Sequence, residues 1–187
     1  MTRMAKDDEP EDESTDLELI ARWKAGDERA ATSLVARHAP ALARFAVSLG
    51  QRTDVDEVVQ DTFVRAFASL ESFRADSSLR TWLFTIERRL ILDRRRADRR
   101  RRDDASVDDL DTATEYDALD ELVAEEAESR VRNAVERLSR LQREVFLLRV
   151  NEGLSYKEIA EIVGSTEGAT RVHYHNAMRA VKESLYV

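Results

Sequence analysis

Four carboxylates in the segment DVDEVVQDTF could do chemistry if the fold brings them together. They are Asp54, Asp56, Glu57 and Asp61, and paired carboxylates serve metal-dependent nucleases and acid–base catalysts. Neither a histidine nor a phosphate-binding glycine loop accompanies them in the sequence, so a catalytic site has little support. The ordinary interpretation is the solvated face of a helix, because charged residues collect on such faces.

A second candidate set lies in LRTWLFTIERR, where Arg80, Phe84 and Arg88 are spaced i, i+4 and i+8. This spacing predicts an aromatic ring between two guanidinium groups, on a different face of a helix from Trp82 and Leu83. Such an arrangement suits an unstacked base and its flanking phosphates. The alternative is that Phe84 packs against a neighbouring helix and that both arginines are merely solvated.

The composition excludes several classes of site and fold. The chain has no cysteine, which excludes disulfides, thiolate nucleophiles and cysteine-based zinc sites. His173 and His175 are two residues apart and point to different sides of a helix, so they make a poor metal pair. We therefore expect neither a metal nor a cofactor. With 5 glycines, 2 prolines and 6% aromatic residues, the composition indicates an all-α fold.

Charge is segregated along the 187-residue chain, although the net charge is only −8. Nine arginines and two aspartates lie between residues 88 and 102, and twelve acids without a base lie between residues 103 and 128. We expect the arginines of 94–102 to continue past the end of a helix and to contact duplex phosphates. The acidic run forms a solvated tether, or it folds back onto these arginines and inhibits DNA binding in the free protein.

The apolar periodicity predicts two small helical domains, at 15–98 and 127–187. A flexible linker, first basic and then acidic, joins them at 99–126, and a disordered acidic tail covers 1–14. No apolar run is long enough to span a membrane, and the start of the chain lacks the apolar core of a signal peptide. We therefore expect a cytoplasmic protein without membrane insertion.

The second domain carries the pattern of a helix-turn-helix. Ser155 and Glu158 have capping-box spacing at the start of SYKEIAEIV, and Gly164 ends that helix. The longer helix TEGATRVHYHNAMRAVKESL then begins. In it, Thr170 takes the position at the contact between the two helices that usually holds valine. A short helix, a tight turn and a longer helix predict binding in the major groove of DNA.

Three segments together resemble a known family. DVDEVVQDTFVRAF, FRADSSLRTWLFTIERRLILDRRR and LQREVFLLRVNEGLSYKEIAEIVGSTEGATRV are similar, in order and spacing, to the bacterial sigma-70 family in its extracytoplasmic-function (ECF) group. The resemblance implies a helical region-2 domain and a helical region-4 domain that bring core RNA polymerase to promoters and open them. It implies no enzymatic activity, and it makes the loop 71–78 and the helix after it a trap for a flipped minus-ten base.

The resemblance also implies which residues bind. Base preference cannot be transferred from relatives, because Arg89 replaces a common asparagine, and Val172 and His173 replace a common serine and arginine. The implied core-polymerase set is Asp56, Glu57, Gln60, Asp61 and Arg65; the minus-ten set is Arg80, Phe84, Arg88, Arg89, Arg94 and Arg95; the minus-thirty-five set is Ser165, Thr166, Glu167, Arg171, His173 and His175.

The expected partners are core RNA polymerase and promoter DNA, both as duplex and as the melted non-template strand. An anti-sigma factor is a further candidate, and we expect a monomer when the protein is free. The main alternative is a dimeric helix-turn-helix regulator that binds duplex DNA without acting as a sigma subunit. That alternative needs a dimer surface on 127–187, and it leaves the two arginines around Phe84 without a role.

Overall fold

The computed structural model describes residues 14–51, 53–103 and 124–185. Every regular element in these ranges is helical and none is a strand, so the predicted all-α class is confirmed. Within the same ranges, no helix combines the length and the apolar character that crossing a membrane requires. Nearly all of the predicted tail and residues 104–123 of the acidic run lie outside the described residues. The predicted domain boundaries stay a prediction.

The chain forms two compact units, which divide after Pro40. The first unit contains α1 (Asp16–Lys24) and the start of α2 (Glu28–Ser48). A capping box starts α1: the Glu18 amide donates to the Thr15 hydroxyl at 3.3 Å, and the Thr15 amide donates to the Glu18 carboxylate at 2.7 Å.

The second unit begins at Ala41 and holds the remaining helices. The side chains that form its core come from apolar stripes with helical spacing. Its elements after α2 are α3 (Val55–Ser69), a 3-10 turn (Leu70–Ser72), α4 (Leu79–Asp103), α5 (Ala124–Glu136), α6 (Arg140–Val150), α7 (Tyr156–Val163) and α8 (Glu167–Leu185).

Asp54 is the residue that precedes α3; it lies in the left-handed region, with φ 58°, and its side chain makes no capping hydrogen bond. One expectation about α4 is corrected. The arginines after Asp93 do not continue past the helix, because α4 runs on to Asp103. The reason is local, since 79–103 contains neither glycine nor proline and arginine is a good helix former.

The helix-turn-helix is confirmed. Ser155 and Glu158 form the capping box of α7, with the Ser155 amide 2.8 Å from the Glu158 carboxylate. Gly164 ends α7 at φ 69°, a conformation that glycine adopts without steric cost. Helices α5, α6 and α8 share an apolar cluster whose buried members are Ala134, Leu138, Phe146, Ala177 and Val181.

A buried hydroxyl lies in α8 at the position where we noted an unusual threonine. Thr170 is fully buried, and its Oγ1 atom has no hydrogen-bond partner. Thr62 in α3 is equally buried, but its hydroxyl donates to the Val58 carbonyl at 2.8 Å. An unpaired buried hydroxyl costs free energy that a methyl group of similar size does not.

We expect Thr170→Val to raise the free energy of unfolding by about 1 kcal/mol, because it removes an unsatisfied polar atom without leaving a cavity. Thr62→Val is the matched control, and it should be neutral or destabilising because it removes a satisfied hydrogen bond. Urea unfolding followed by circular dichroism measures both. Equal effects of the two substitutions would contradict the explanation.

Candidate nucleic-acid interface

The predicted aromatic platform on α4 is not exposed. Phe84 is completely buried, and its ring meets Phe45 of α2 edge-on with centroids 5.0 Å apart. Phe84 therefore belongs to the core, as the alternative interpretation held, and it cannot stack on a base in this conformation. The sequence pattern was ambiguous because α4 carries apolar residues on more than one side, Leu83 and Ile91 included.

Arg80, one turn before Phe84, is bound to a carboxylate of the loop between α6 and α7. One Arg80 amino group donates to the Glu152 carbonyl at 3.0 Å, and the other donates to the Glu152 carboxylate. Arg44 of α2 donates to both oxygens of the same carboxylate, at 3.1 and 3.2 Å. The Glu152 side chain is only 3% exposed, so two guanidinium groups hold one buried charge.

Arg88, one turn after Phe84, is held in the same way. Its Nε atom donates to the Glu144 carboxylate of α6 at 2.7 Å, and Arg140 of α6 donates to the other oxygen at 3.1 Å. The Glu144 side chain is 2% exposed. A buried carboxylate needs such partners, because its desolvation is costly without them.

In the ion pairs that join α2 and α4 to α6 and the loop after it, the bases and the acids lie on opposite sides of the contact. Arg44, Arg80 and Arg88 lie on α2 and α4, and the carboxylates that accept from them lie on α6 and the loop that follows it. Thr81 of α4 adds a weaker donor, 3.4 Å from the carboxylate of Glu158 at the start of α7.

The remaining arginines of the minus-ten set differ among themselves. Arg94 binds two acids of α3, Glu57 at 2.8 Å and Asp61 at 2.6 Å. The Arg95 guanidinium donates to the Leu49 carbonyl beyond the end of α2. Arg89 is exposed. The structure thus joins residues from two predicted sites, since Arg94 was assigned to DNA and the two acids to polymerase.

The core-polymerase set lies together on one side of α3. Asp56, Glu57, Gln60 and Arg65 are exposed, and Asp61 is half-buried where Arg94 contacts it. Apolar residues on the other side of α3, such as Val58 and Phe63, are buried.

An accessible aromatic pair that the sequence analysis did not assign lies on another side of α4. Trp82 is only half-buried. Its ring centroid lies 5.1 Å from that of Phe73, in the loop before α4. Arg89 follows Trp82 by seven residues, which places both on the same side of the helix. Phe73, an aromatic residue in the loop before α4, was the feature of the sequence that could have indicated this pair.

The minus-thirty-five set lies at the start of α8 and just before it. Arg171 is exposed, binds Glu167 at 2.8 Å and stands over the ring of Tyr156, with its Cζ atom 5.2 Å from the ring centroid. Tyr156, which the sequence analysis missed, therefore helps to fix the Arg171 guanidinium. Ser165, Thr166 and His175 are exposed, and His173 is half-buried.

Two family models match the chain. Sigma-70 region 2 matches residues 34–101, and Sigma-70, region 4 matches residues 128–181. The ECF RNA polymerase sigma-E factor of Haemophilus influenzae is 29% identical over 91% of this chain and 95% of that protein. The factor of the same name in Escherichia coli K12 is 32% identical over 89% of this chain and 92% of that protein.

Solved structures agree with these matches. The sigma factor RpoE of Bartonella quintana, solved with the anti-sigma factor NepR, is 30% identical, with a TM-score of 0.65 over 83% of this chain and 96% of that chain. CnrH, solved with the cytosolic domain of CnrY, is 32% identical, with a TM-score of 0.66 over 91% of this chain and 96% of that chain.

The chain belongs to the sigma-70 family of RNA polymerase sigma factors, in its ECF group. Its function is therefore to direct RNA polymerase to promoters, and core polymerase and promoter DNA are its partners. These matches do not favour the alternative of a dimeric regulator that acts without polymerase.

The helix that carries the paired arginines also buries an unpaired acid. Glu87 is fully buried, and neither carboxylate oxygen has a hydrogen-bond partner. Burial raises the pKa of Glu87 from 4.5 to about 9, so the group is protonated at neutral pH. The folded state then binds one more proton than the unfolded state between these two values, and stability falls as the pH rises through that range.

We expect the free energy of unfolding of the parent protein to fall by about 4 kcal/mol between pH 5 and pH 8, and Glu87→Gln to abolish this fall. Glutamine has the same shape but does not titrate, so stability should change less with pH and the difference from the parent should be largest at pH 8. Urea unfolding across this pH range is the measurement. Glu161→Gln, at an exposed position of α7, is the control and should leave the pH dependence unchanged. A parental pH dependence in Glu87→Gln would refute the assignment.

Proposed function

We propose that the chain performs its sigma function through three surfaces, and that it acts by binding alone, in the cytoplasm. The acidic side of α3 binds core polymerase, the start of α8 binds the minus-thirty-five element, and α4 with its preceding loop binds the minus-ten element. The observation that carries this assignment is the helix-turn-helix whose second helix begins with exposed polar residues.

The start of α8 has the features of a recognition helix. Its first turns carry Glu167 and Arg171 on the exposed side, while Thr170 and Ala177 face the core. Arginine at such a position binds guanine edges or phosphates in the major groove. The contact with Tyr156 limits the rotamers of Arg171, which lowers the entropic cost of binding.

The minus-ten surface uses two sides of α4. Trp82, Phe73 and Arg89 offer accessible rings and a guanidinium, which suit an unstacked base and a phosphate. Arg80 and Arg88 are available to the strand only when the carboxylates of Glu152 and Glu144 release them. Favourable binding of the unpaired strand offsets the few kcal/mol of unstacking, so the mechanism needs no ATP.

An anti-sigma factor is a proposed partner. Two structural relatives were solved as complexes, RpoE with the anti-sigma factor NepR and CnrH with the cytosolic domain of CnrY. Both relatives match this chain over more than four-fifths of its length. We therefore include a protein regulator of this class among the partners.

The deciding experiment mixes the purified chain with sigma-free core polymerase and two templates, an intact promoter and the same promoter with a pre-melted minus-ten segment. Specific initiation on both templates supports the proposal. A dimeric regulator would bind the duplex without initiating, and a nuclease would cut it. Promoter sequence comes from mapping transcript starts after overexpression of the chain.

We expect Gln60→Arg with Asp61→Lys to weaken association with core polymerase by on the order of 2–5 kcal/mol, which is more than tenfold, because like charges then meet across the interface. Pull-down with immobilised core polymerase measures this, and circular dichroism checks that helicity is intact. Arg94→Ala is the control, because it removes the ion pair with Asp61 but keeps the acid. Parental affinity in the double variant would sink the polymerase assignment.

A further inference from the structure

Arg44 has no role in the surfaces proposed above, yet it shares one anion with Arg80. Both guanidinium groups donate to the Glu152 carboxylate, and both reach the same oxygen, Oε2. Arg44 comes from α2 and Arg80 from α4, so two separate helices converge on a single oxyanion. The Arg44 side chain is still 56% exposed, whereas that of Glu152 is 3% exposed.

A pair of guanidinium groups placed in this way can also hold a phosphate. Guanidinium groups form charge-assisted hydrogen bonds with carboxylate and phosphate oxygens alike. Two guanidinium groups share the carboxylate of Glu152, and the carboxylate of Glu158 also interacts with Arg80. Glu152 lies in the loop between the end of α6 at Val150 and the start of α7 at Tyr156. It therefore belongs to a different element from Arg44 and Arg80.

We propose that Arg44 and Arg80 form a cradle for a backbone phosphate of a nucleic-acid strand, and that Glu152 occupies this cradle in the free protein. The inference rests on the proposed role of α4 in binding the minus-ten strand. Arg88 extends the cradle along α4, and Glu144 occupies it in the same way. The carboxylates and the strand therefore compete for the same arginines, and DNA binds when α6 and its following loop move away.

If the carboxylate and the strand compete, removing the acid should strengthen DNA binding and removing the arginine should weaken it. Glu152→Gln keeps the size of the side chain but removes its charge, so it should weaken the internal contact and leave two guanidinium groups for an external anion. Arg44→Ala in the Glu152→Gln background should cancel the gain. The phosphate contact is independent of sequence, so a strand of mixed sequence is a sufficient probe.

The first test measures binding of a fluorescein-labelled single-stranded DNA oligonucleotide of mixed sequence to the full chain, by anisotropy at low salt. We expect Glu152→Gln to bind about tenfold more tightly than the parent, which corresponds to roughly 1.4 kcal/mol. Glu161→Gln makes the same charge change at an exposed position and should give no such gain. Parental affinity in Glu152→Gln overturns the proposal, as does an equal gain in Glu161→Gln or a gain that survives Arg44→Ala.

The second test uses the complex with core polymerase, in which a poorly folded variant is detected by its failure to assemble. Arg44→Ala should reduce the slope of log K against log salt by about 0.7 on a pre-melted promoter, as expected for one lost phosphate contact to a single strand. Arg137→Ala, an exposed arginine outside these surfaces, should leave the slope unchanged. An unchanged slope in Arg44→Ala overturns the cradle.

The two levels of the proposal fail separately. If the parent chain initiates transcription but both tests give parental values, the sigma function stands and the cradle is wrong. If the parent chain does not initiate but Glu152→Gln gains affinity through Arg44, the cradle stands and the promoter role is wrong.

Discussion

The second unit depends on one electrostatic constraint, which is that the buried carboxylates of Glu144 and Glu152 must be neutralised. Each is nearly inaccessible to water, and each is held by two arginines. Removing one partner from a buried ion pair typically costs about 3–5 kcal/mol, because the remaining charge is left without compensation. The contact of α4 with α6 and the loop after it is therefore held by charge.

The contrast with Glu87 shows what neutralisation by partners achieves. Glu87 lies on α4 between the two arginines of this contact, but its oxygens have no hydrogen-bond partner. Its pKa is raised to about 9, so the protein meets the cost of burial by binding a proton. Among the described residues, Glu87 is thus buried without a partner, whereas Glu144 and Glu152 are buried in ion pairs in which another anion could replace the carboxylate.

The sequence predicts features that depend on neighbouring residues. The capping boxes at Thr15 and Ser155 and the turn at Gly164 follow from short spacings, and the structure has all three. It predicts partners poorly when they are distant, since Glu152 lies 108 residues from Arg44 and 72 residues from Arg80. The spacing of Arg80, Phe84 and Arg88 predicts that Arg80 binds an external anion, but it could not indicate that an acid of the same chain would bind it.

The chemistry of this contact also explains why it can be reversible. If apolar side chains formed it, separation of α4 from α6 would expose a hydrophobic patch and would carry the full cost of hydrating it. Arginine and glutamate side chains are instead well solvated after separation, and a phosphate can replace each carboxylate with similar hydrogen bonds. Phe84, between Arg80 and Arg88, packs against Phe45 of the neighbouring α2, so that part of the core need not open when the arginines change partner. Neighbouring residues of α4 therefore have different roles. The ring of Phe84 stabilises the fold, and the guanidinium groups of Arg80 and Arg88 exchange one anion for another.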